Sequence, residues 1–244
     1  MEIREWHAVA LTAVVMCGAA IAAGQSTHTE DLGVGKLLVS ARDLPDPSFA
    51  ESVVLLVQYD KEGTVGLMIN HRTKAPISRV LEGVNTAKHG SDPVYVGGPV
   101  EMNGVLGLFR SPKKPDREAT SVLGDVYLVS SKALLEQTLA ASSGPSDMRL
   151  YVGYCGWAAG QLENEVMQRG WWILDGNARL VFDPYPDSVW SRLIAQTERQ
   201  IASMQYEAGR SLLDVWLLAW PESFAHRLGR LKHPFGTSGP LPSS

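Results

Sequence analysis

The chain has 244 residues, 45% of them hydrophobic and 20% charged, which is an ordinary globular composition with enough apolar material for one well-filled core and a small appendage. Its formal charge is −4 and its lysines and arginines form no run of five, so it lacks the electrostatic footprint of a nucleic-acid binder, and nucleic acid is not an expected partner. Residues 8–23 are uncharged and mostly apolar, with Leu11, Val14, Val15, Met16 and Ile21, and small residues (Ala20, Ala22) precede a polar stretch from Gln25 to Asp31. That order is the order of a secretory signal peptide, and the run is short beside the roughly 20 residues of a spanning helix. The first seven residues carry Glu2 and Glu5 against Arg4, which departs from a leader's basic start, so an uncleaved anchor and a misassigned start codon stay open. A real leader over residues 1–23 makes the protein periplasmic or exported; otherwise it is cytoplasmic, and membrane contact is expected only through an uncleaved leader. Loss of Cys17 with the leader leaves Cys155 as a single thiol without an intramolecular disulfide partner.

Residues 24–32 read as a linker, and strand signals follow. Lys36-Leu37-Leu38-Val39-Ser40 is a first strand, and Pro45 and Pro47 keep residues 42–47 in a loop. Residues 52–59 are a dense β-branched run that reads as buried on both faces. A turn at residues 60–63 returns the chain as a partner strand over 64–70, in which Gly66 signals a bulge or a close backbone approach. Pro76 opens a short helix with Ile77, Val80 and Leu81 on one face, and Gly83 closes it. Residues 94–96 form a strand running into Gly97-Gly98-Pro99-Val100, 105–110 another strand, 111–118 a solvated loop and 125–129 a further strand. Ser130 or Ser131 caps a helix over 132–140.

Residues 148–154 form a strand expected to end at a sharp glycine-rich turn around Cys155 and to feed a helix from Gln161 to Arg169, with Leu162 and Val166 inward and Gly170 at its C-terminal left-handed position. Residues 171–174 and 180–182 read as a hairpin around Asp175-Gly176-Asn177. Ser188 caps an amphipathic helix bearing Val189, Trp190, Leu193, Ile194 and Ile201 on one stripe. Residues 196–244 read as a helical C-terminal extension with a disordered Gly/Pro/Ser tail. Its apolar run with Leu212, Trp216 and Trp220 is a core-docking helix or a contact surface for a protein partner. Strands dominate early and helices are interspersed irregularly, which gives an α+β fold with a mixed or antiparallel sheet.

Several segments in this order resemble the YqgE/AlgH family. Gly35-Lys36-Leu37-Leu38 with Asp46-Pro47-Ser48-Phe49 is similar to its opening strand and loop. Ser52-Val53-Val54-Leu55-Leu56 and Gly66-Leu67-Met68-Ile69-Asn70 are similar to its central hairpin. Val94 to Val100 carries a "GGPV" signature, and Gly153-Tyr154, Gly156-Trp157 and Gly160-Gln161-Leu162-Glu163-Asn164-Glu165 carry a "GY-x-GW-x-x-GQLE-x-E" signature. The resemblance covers residues 33–195 and implies a branched sheet curled into a pseudo-barrel with flanking helices. It implies no established enzymatic activity or cofactor, and no recognised DNA-binding module although the family is described as a transcriptional regulator. The chain departs from the pattern at Cys155, where Ala or Ser is usual, at Phe109, where a histidine is common, at His71-Arg72, and in its leader and tail.

The candidate functional surface is the pair of glycine signatures: Gly97, Gly98, Pro99, Cys155, Gly156, Trp157, Gly160, Gln161 and Glu165. Gly97-Gly98-Pro99 reads as a structural turn ahead of an anion site, because no Gly-x4-Gly-Lys-Ser/Thr string exists and Pro99 removes a donor. Cys155 lies between strand and helix, as a nucleophile elbow does, but no Gly-x-Ser-x-Gly string occurs and His71 and His89 are bases by default only. A small buried side chain is the plainer reading, and a redox-sensitive thiol the sharper one. Glu163 in the first turn favours the helix dipole, and Glu165 reads as a partner of Arg169. Trp157, Trp171 and Trp172 read as core packing ahead of a stacking platform. No catalytic residue, cofactor or metal ligand is assigned. The expectation is a non-enzymatic regulatory or interaction protein. The alternatives are a small-molecule-binding or hydrolytic enzyme using the turn at Cys155, and a transcriptional regulator.

Overall fold

Strands β1 (Lys36–Ser40), β2 (Val53–Tyr59) and β3 (Gly63–Met68) make an antiparallel meander in which Leu38 faces Val54 and Val54 faces Met68. Leu37, Val39, Val53, Leu55 and Leu67 point to one core while Leu38, Val54, Leu56 and Met68 point to another, and all are at most 2% exposed. Burial on both faces is why residues 53–57 form an unbroken apolar run and not an alternating one. The computed structural model describes residues 29–81, 88–115 and 118–218, with side chains through residue 211. The expected leader and the tail beyond residue 218 lie outside the described residues, as do the side chains of Leu212, Trp216 and Trp220. The described residues up to Arg199 form one compact unit, and the described part of the chain from Gln200 belongs to a separate one.

The remaining strands are β4 (Arg72–Pro76), β5 (Pro93–Val96), β6 (Val100–Arg110), β7 (Ala119–Leu123), β8 (Val126–Val129), β9 (Met148–Ala158) and β10 (Trp171–Asp175). The helices are α1 (Ile77–Val80), α2 (Lys132–Ala141), α3 (Gln161–Met167), α4 (Ala178–Val181) and α5 (Val189–Leu218). The sheet runs β10-β1-β2-β3-β9-β6-β8-β7, and β9 is its branch point. Cys155 to Ala158 pair with β3, Tyr151 and Val152 lie parallel to β5, and β6 runs antiparallel along the other edge. β4 extends the branch from β5. The two ends of the path meet without pairing. A Cβ at Gly176 would overlap the Gly35 carbonyl oxygen, and one at Gly35 would stand 2.9 Å from the Val122 carbonyl oxygen. The α+β expectation and the branched pseudo-barrel both hold.

The interior of the curl is plugged at one end by Val181, Phe182, Val189, Trp190, Leu193 and Ile194 from α4 and the start of α5. Outside, α3 covers β1 to β3 and the end of β9, with Leu162 and Val166 buried beside Trp157 and Trp171. Helices α1 and α2 cover the other flank through Ile77, Leu135 and Leu139. Ser131 accepts from Leu134 N at 3.5 Å and is the N-cap of α2. Among the described residues no helix is long and apolar enough to cross a membrane.

Several local expectations are corrected. β9 does not end at Tyr154; it continues through Cys155, Gly156 and Trp157 to Ala158, and the turn is Ala159-Gly160. The reason is Gly153, whose φ of +68 is a left-handed value that puts a bulge inside the strand. Leu180 to Phe182 is not the second arm of a hairpin, because Asn177 accepts from Leu180 N at 3.0 Å and caps α4. The left-handed residue after α3 is Arg169 (φ 62), with Arg169 N donating to Val166 O and Gly170 N donating to Glu165 O. That is a Schellman closure with Gly170 one place further on than expected, and a Cβ at Gly170 would lie 2.8 Å from the tip of the Leu44 side chain, which would have to turn aside. Ser188 ends a 3-10 turn and its hydroxyl donates to Tyr185 O, so it does not cap α5 through its oxygen. β4 and β7 lie where no strand was expected, and β6 begins five residues early at Val100.

Candidate functional site

Opposite the helical plug the pseudo-barrel is open. Its mouth is a cavity of about 660 Å³ lined by residues of six strands, within the range of small-molecule sites, which favour barrel mouths. Val57 and Gln58 come from β2, Val65 from β3, Glu101 and Gly104 to Leu106 from β6, Thr120 from β7, Leu128 from β8, Gly153 and Tyr154 from β9, and Ser130 follows β8. The walls are mostly apolar, and among the polar groups the Tyr154 hydroxyl and the Glu101 carboxylate are hydrogen-bonded to each other. No imidazole, thiol or ammonium lines the cavity among the described residues.

Bulges shape this mouth. In β2 the register with β3 shifts between Leu56 and Gln58, so two consecutive residues, Val57 and Gln58, both reach the cavity. In β6 the partners are Val100 with Tyr154 and then Val105 with Val152, so Glu101 to Gly104 loop out of the ladder. Glu101 lies there at φ 47 and Met102 is 48% exposed. A non-glycine residue in the left-handed region costs about 1 kcal/mol or more, and such strain gathers where a side chain must be aimed. In β9 the bulge at Gly153 changes the phase of the strand: Arg149 and Tyr151 face Tyr95 on the inner side, Tyr154 packs on that same core, and Cys155 and Trp157 turn outward beneath α3. The Tyr154 phenol is pushed up from its ordinary value by partial burial and then by the charge and hydrogen bond of Glu101.

The expected site residues divide between two faces. Gly97 and Gly98 are the floor of the branch. Gly97 N donates to Val152 O and its carbonyl accepts from Met68 N, both at 2.8 Å, so Gly97 offers no free N–H to an anion. A Cβ on Gly98 would overlap the backbone of Tyr154 and Cys155, and Pro99 leads directly into β6. Cys155 is fully buried in the outer core with its thiol on the Gly97 carbonyl at 3.3 Å, and burial pushes it up to about 12. Gly156 is exposed in β9 and Gly160, at φ 78, is the N-cap of α3.

Gln161 and Glu165 clamp α3. Glu165 Oε2 accepts from Trp157 Nε1 at 3.0 Å and Trp171 Nε1 at 2.8 Å, and Oε1 accepts from Gln161 Nε2 at 3.0 Å. Gln161 Oε1 accepts from Ala158 N at 3.1 Å, and Glu163 accepts from the Tyr59 hydroxyl at 2.7 Å. Phe49 stacks on Trp157 at 5.7 Å and meets Trp171 edge-on at 5.4 Å. This is an aromatic cluster holding a helix, away from the mouth. Glu101, Tyr154, Gln58, Thr120 and Ser130 were not singled out from the sequence; the signal available was Tyr154 inside a signature and Glu101 one residue after "GGPV".

Of the two default bases, His71 Nε2 stands 2.9 Å from Ser52 Oγ, and His89 lies between Asp92 Oδ2 at 2.9 Å and Ser142 O at 3.1 Å. Ser52 and His71 have the polarity of a nucleophile and its base, but Ser52 has no exposed surface. Burial pushes the His71 imidazole below its ordinary 6.5. The unfolded chain therefore takes up the proton first, and folding stability falls as pH drops from 6.5 through the lower native value. We expect urea midpoints between pH 7 and pH 5 to fall for the native protein and to fall less for His71→Gln. We also expect Cys155 to resist maleimide in the native state and to react only in urea, read by peptide mapping; native labelling within minutes would contradict its burial.

Three comparisons bear on this geometry. The family model described as DUF179, AlgH-like, matches residues 37–202. A UPF0301 protein of Streptomyces coelicolor is 31% identical over 173 residues, covering 69% of this chain and 88% of its own, and one of Streptomyces avermitilis is 30% identical over 176 residues, covering 69% and 88%. The solution structure of the AlgH protein from Pseudomonas aeruginosa is similar with a TM-score of 0.55 and 28% identity, covering 72% of this chain and 92% of that one. The crystal structure of DIP2367 from Corynebacterium diphtheriae, at 24% identity and a TM-score of 0.57, covers 68% and 87% and shares the fold.

Proposed function

From a chain that belongs to the AlgH-like family, we propose a non-enzymatic binding protein that takes a small ligand into the open mouth of its pseudo-barrel and serves a regulatory or interaction role through that occupancy. The observation that carries the reading is the cavity of about 660 Å³ itself, mostly apolar on its walls, with a few polar groups and no activated nucleophile among its described lining residues. The signatures read from the sequence support it indirectly: Gly97, Gly98 and Gly153 allow the backbones to cross at the branch, and the crossing is what splays the strands. A neutral dye, Nile red, tests it. Its fluorescence is expected to rise with the native protein and to be lost in Leu128→Trp, which fills the mouth. Equal dye binding by a folded Leu128→Trp variant would place the ligand elsewhere.

We place this binding protein outside the cytoplasm on the pattern of residues 8–23. Fractionation with N-terminal sequencing is expected to return a mature start near Gly24, and an intact Met1 in the cytoplasm overturns it. A protein partner for the C-terminal extension is proposed on the same footing, from the apolar run that contains Leu212, Trp216 and Trp220; deletion of residues 212–244 is expected to remove a pulled-down partner without loss of Nile red binding.

A further inference from the structure

The mouth has one charged lining residue, Glu101, and everything around that carboxylate concerns how it is held. It opens the four-residue bulge of β6, so its position is set by a break in the ladder between Val100 and Val105 and not by strand alternation. Its φ of 47 is a left-handed value for a residue with a Cβ, a conformation adopted against local preference. Among the described residues no ion pair to Glu101 occurs and its carboxylate accepts from the Tyr154 hydroxyl, whereas ion pairs do form elsewhere on the barrel's outer surface: Lys36 with Asp175, Arg42 with Glu198, Arg72 with Asp187 and Arg110 with Asp125. Beside it stands the Tyr154 ring, an aromatic surface partly buried on the inner core, and beyond are the apolar side chains of Val57, Val65, Leu106 and Leu128.

A cavity so arranged separates charge from grease. An anionic head entering it meets a carboxylate and no cation. A neutral apolar body gains the walls and leaves the carboxylate as it was. A cationic head gains the carboxylate and an aromatic ring together, the pairing that favours organic ammonium groups. Resting on the mouth being a ligand site, we infer that its ligand is an amphipathic organic cation, an apolar or aromatic body bearing an ammonium or guanidinium group, with the charge at Glu101 and Tyr154 and the body against Val65, Leu106 and Leu128.

Three probes with one body and different heads test this: 4-phenylbutylamine, 4-phenylbutanol and 4-phenylbutyrate, titrated into the full chain with methyl-labelled Val and Leu and followed by NMR. The expected result is perturbation of the Val65, Leu106 and Leu128 methyls, with the amine binding about tenfold tighter than the alcohol and the butyrate weakest. Glu101→Gln is expected to bring the amine down to the level of the alcohol. Equal affinities for amine and butyrate, or an amine preference that survives Glu101→Gln, overturn the cation assignment while leaving the mouth as the site. If none of the three probes moves those methyls, the site itself is overturned.

Discussion

Gly98→Ala is expected to remove the folded domain. The added Cβ would fall on the carbonyl carbon and oxygen of Tyr154 and the amide nitrogen of Cys155, all of them backbone atoms. No rotamer change relieves such an overlap. The backbone it meets is fixed on its other sides, because Val100 pairs with Tyr154, Gly66 pairs with Cys155, and Gly97 is bound to Val152 and Met68. Strands β3, β5, β6 and β9 would have to separate at the branch. We expect a loss of about 4 kcal/mol or more, an exceptional value for one substitution and a large share of the about 5–15 kcal/mol that holds a domain. The measurement is urea unfolding followed by circular dichroism. Gly33→Ala is the control, since nothing lies within 4 Å of its Cβ, and it is expected to change stability by less than about 0.5 kcal/mol. A Gly98→Ala midpoint equal to the native one would mean that the branch is not as tight as described.

The second large effect is at Glu165. Its carboxylate is the recorded acceptor for two indole N–H groups, on Trp157 at 4% exposure and Trp171 at 0%. Glu165→Ala leaves both donors buried without it, and an unsatisfied buried donor costs about 1–3 kcal/mol. Loss of the Gln161 contact loosens the first turn of α3 as well. We expect Glu165→Ala to cost about 3–4 kcal/mol, with a red shift of tryptophan emission as the outer core opens. Glu165→Gln keeps one acceptor oxygen for the indoles but sets its amide against the Gln161 amide, which is itself oriented by Ala158 N, and about 1 kcal/mol is expected. An alanine variant no weaker than the glutamine variant would show that the indoles find other acceptors. Both predictions are independent of ligand binding, because Gly98 and Glu165 do not line the mouth.

The same two residues show how much was legible beforehand. The glycine signatures were recognisable as architecture, and Gly98 and Gly153 are the crossing points of the branch. The chemistry first considered for Cys155 failed because β9 does not turn there. A period-2 reading carried through residues 148–157 assigns faces correctly up to Val152 and wrongly afterwards, since the bulge at Gly153 inverts every later side chain. β4 and β7 were missed because they carry little apolar signal: Arg72 to Pro76 contains no fully buried residue, and only Val122 of β7 is buried. Leu180 to Phe182 is too short for periodicity to separate strand from helix, and the deciding contact is the Asn177 cap.

Sequence alone determined the family, through its signatures, and local pattern determined the α+β class, the doubly buried strand β2 with its partner β3, the helix α3 with Leu162 and Val166 inward, and the role of the glycines as places where backbones approach. Apart from the family, which rests on the resemblance of its motifs, each of these rests on burial periodicity or on the missing Cβ, properties that neighbours in sequence carry by themselves. Tertiary structure decided the rest: that Glu165 belongs to two indoles, that Cys155 is sealed, and that Val57, Gln58, Val65, Glu101, Thr120, Leu128 and Tyr154 share one cavity. Those residues come from strands spread from residue 57 to residue 154, and they meet only because bulges in β2, β6 and β9 bend the sheet until its ends close through Gly35 and Gly176. Curvature is a property of strands held together by pairing, and no single strand contains it.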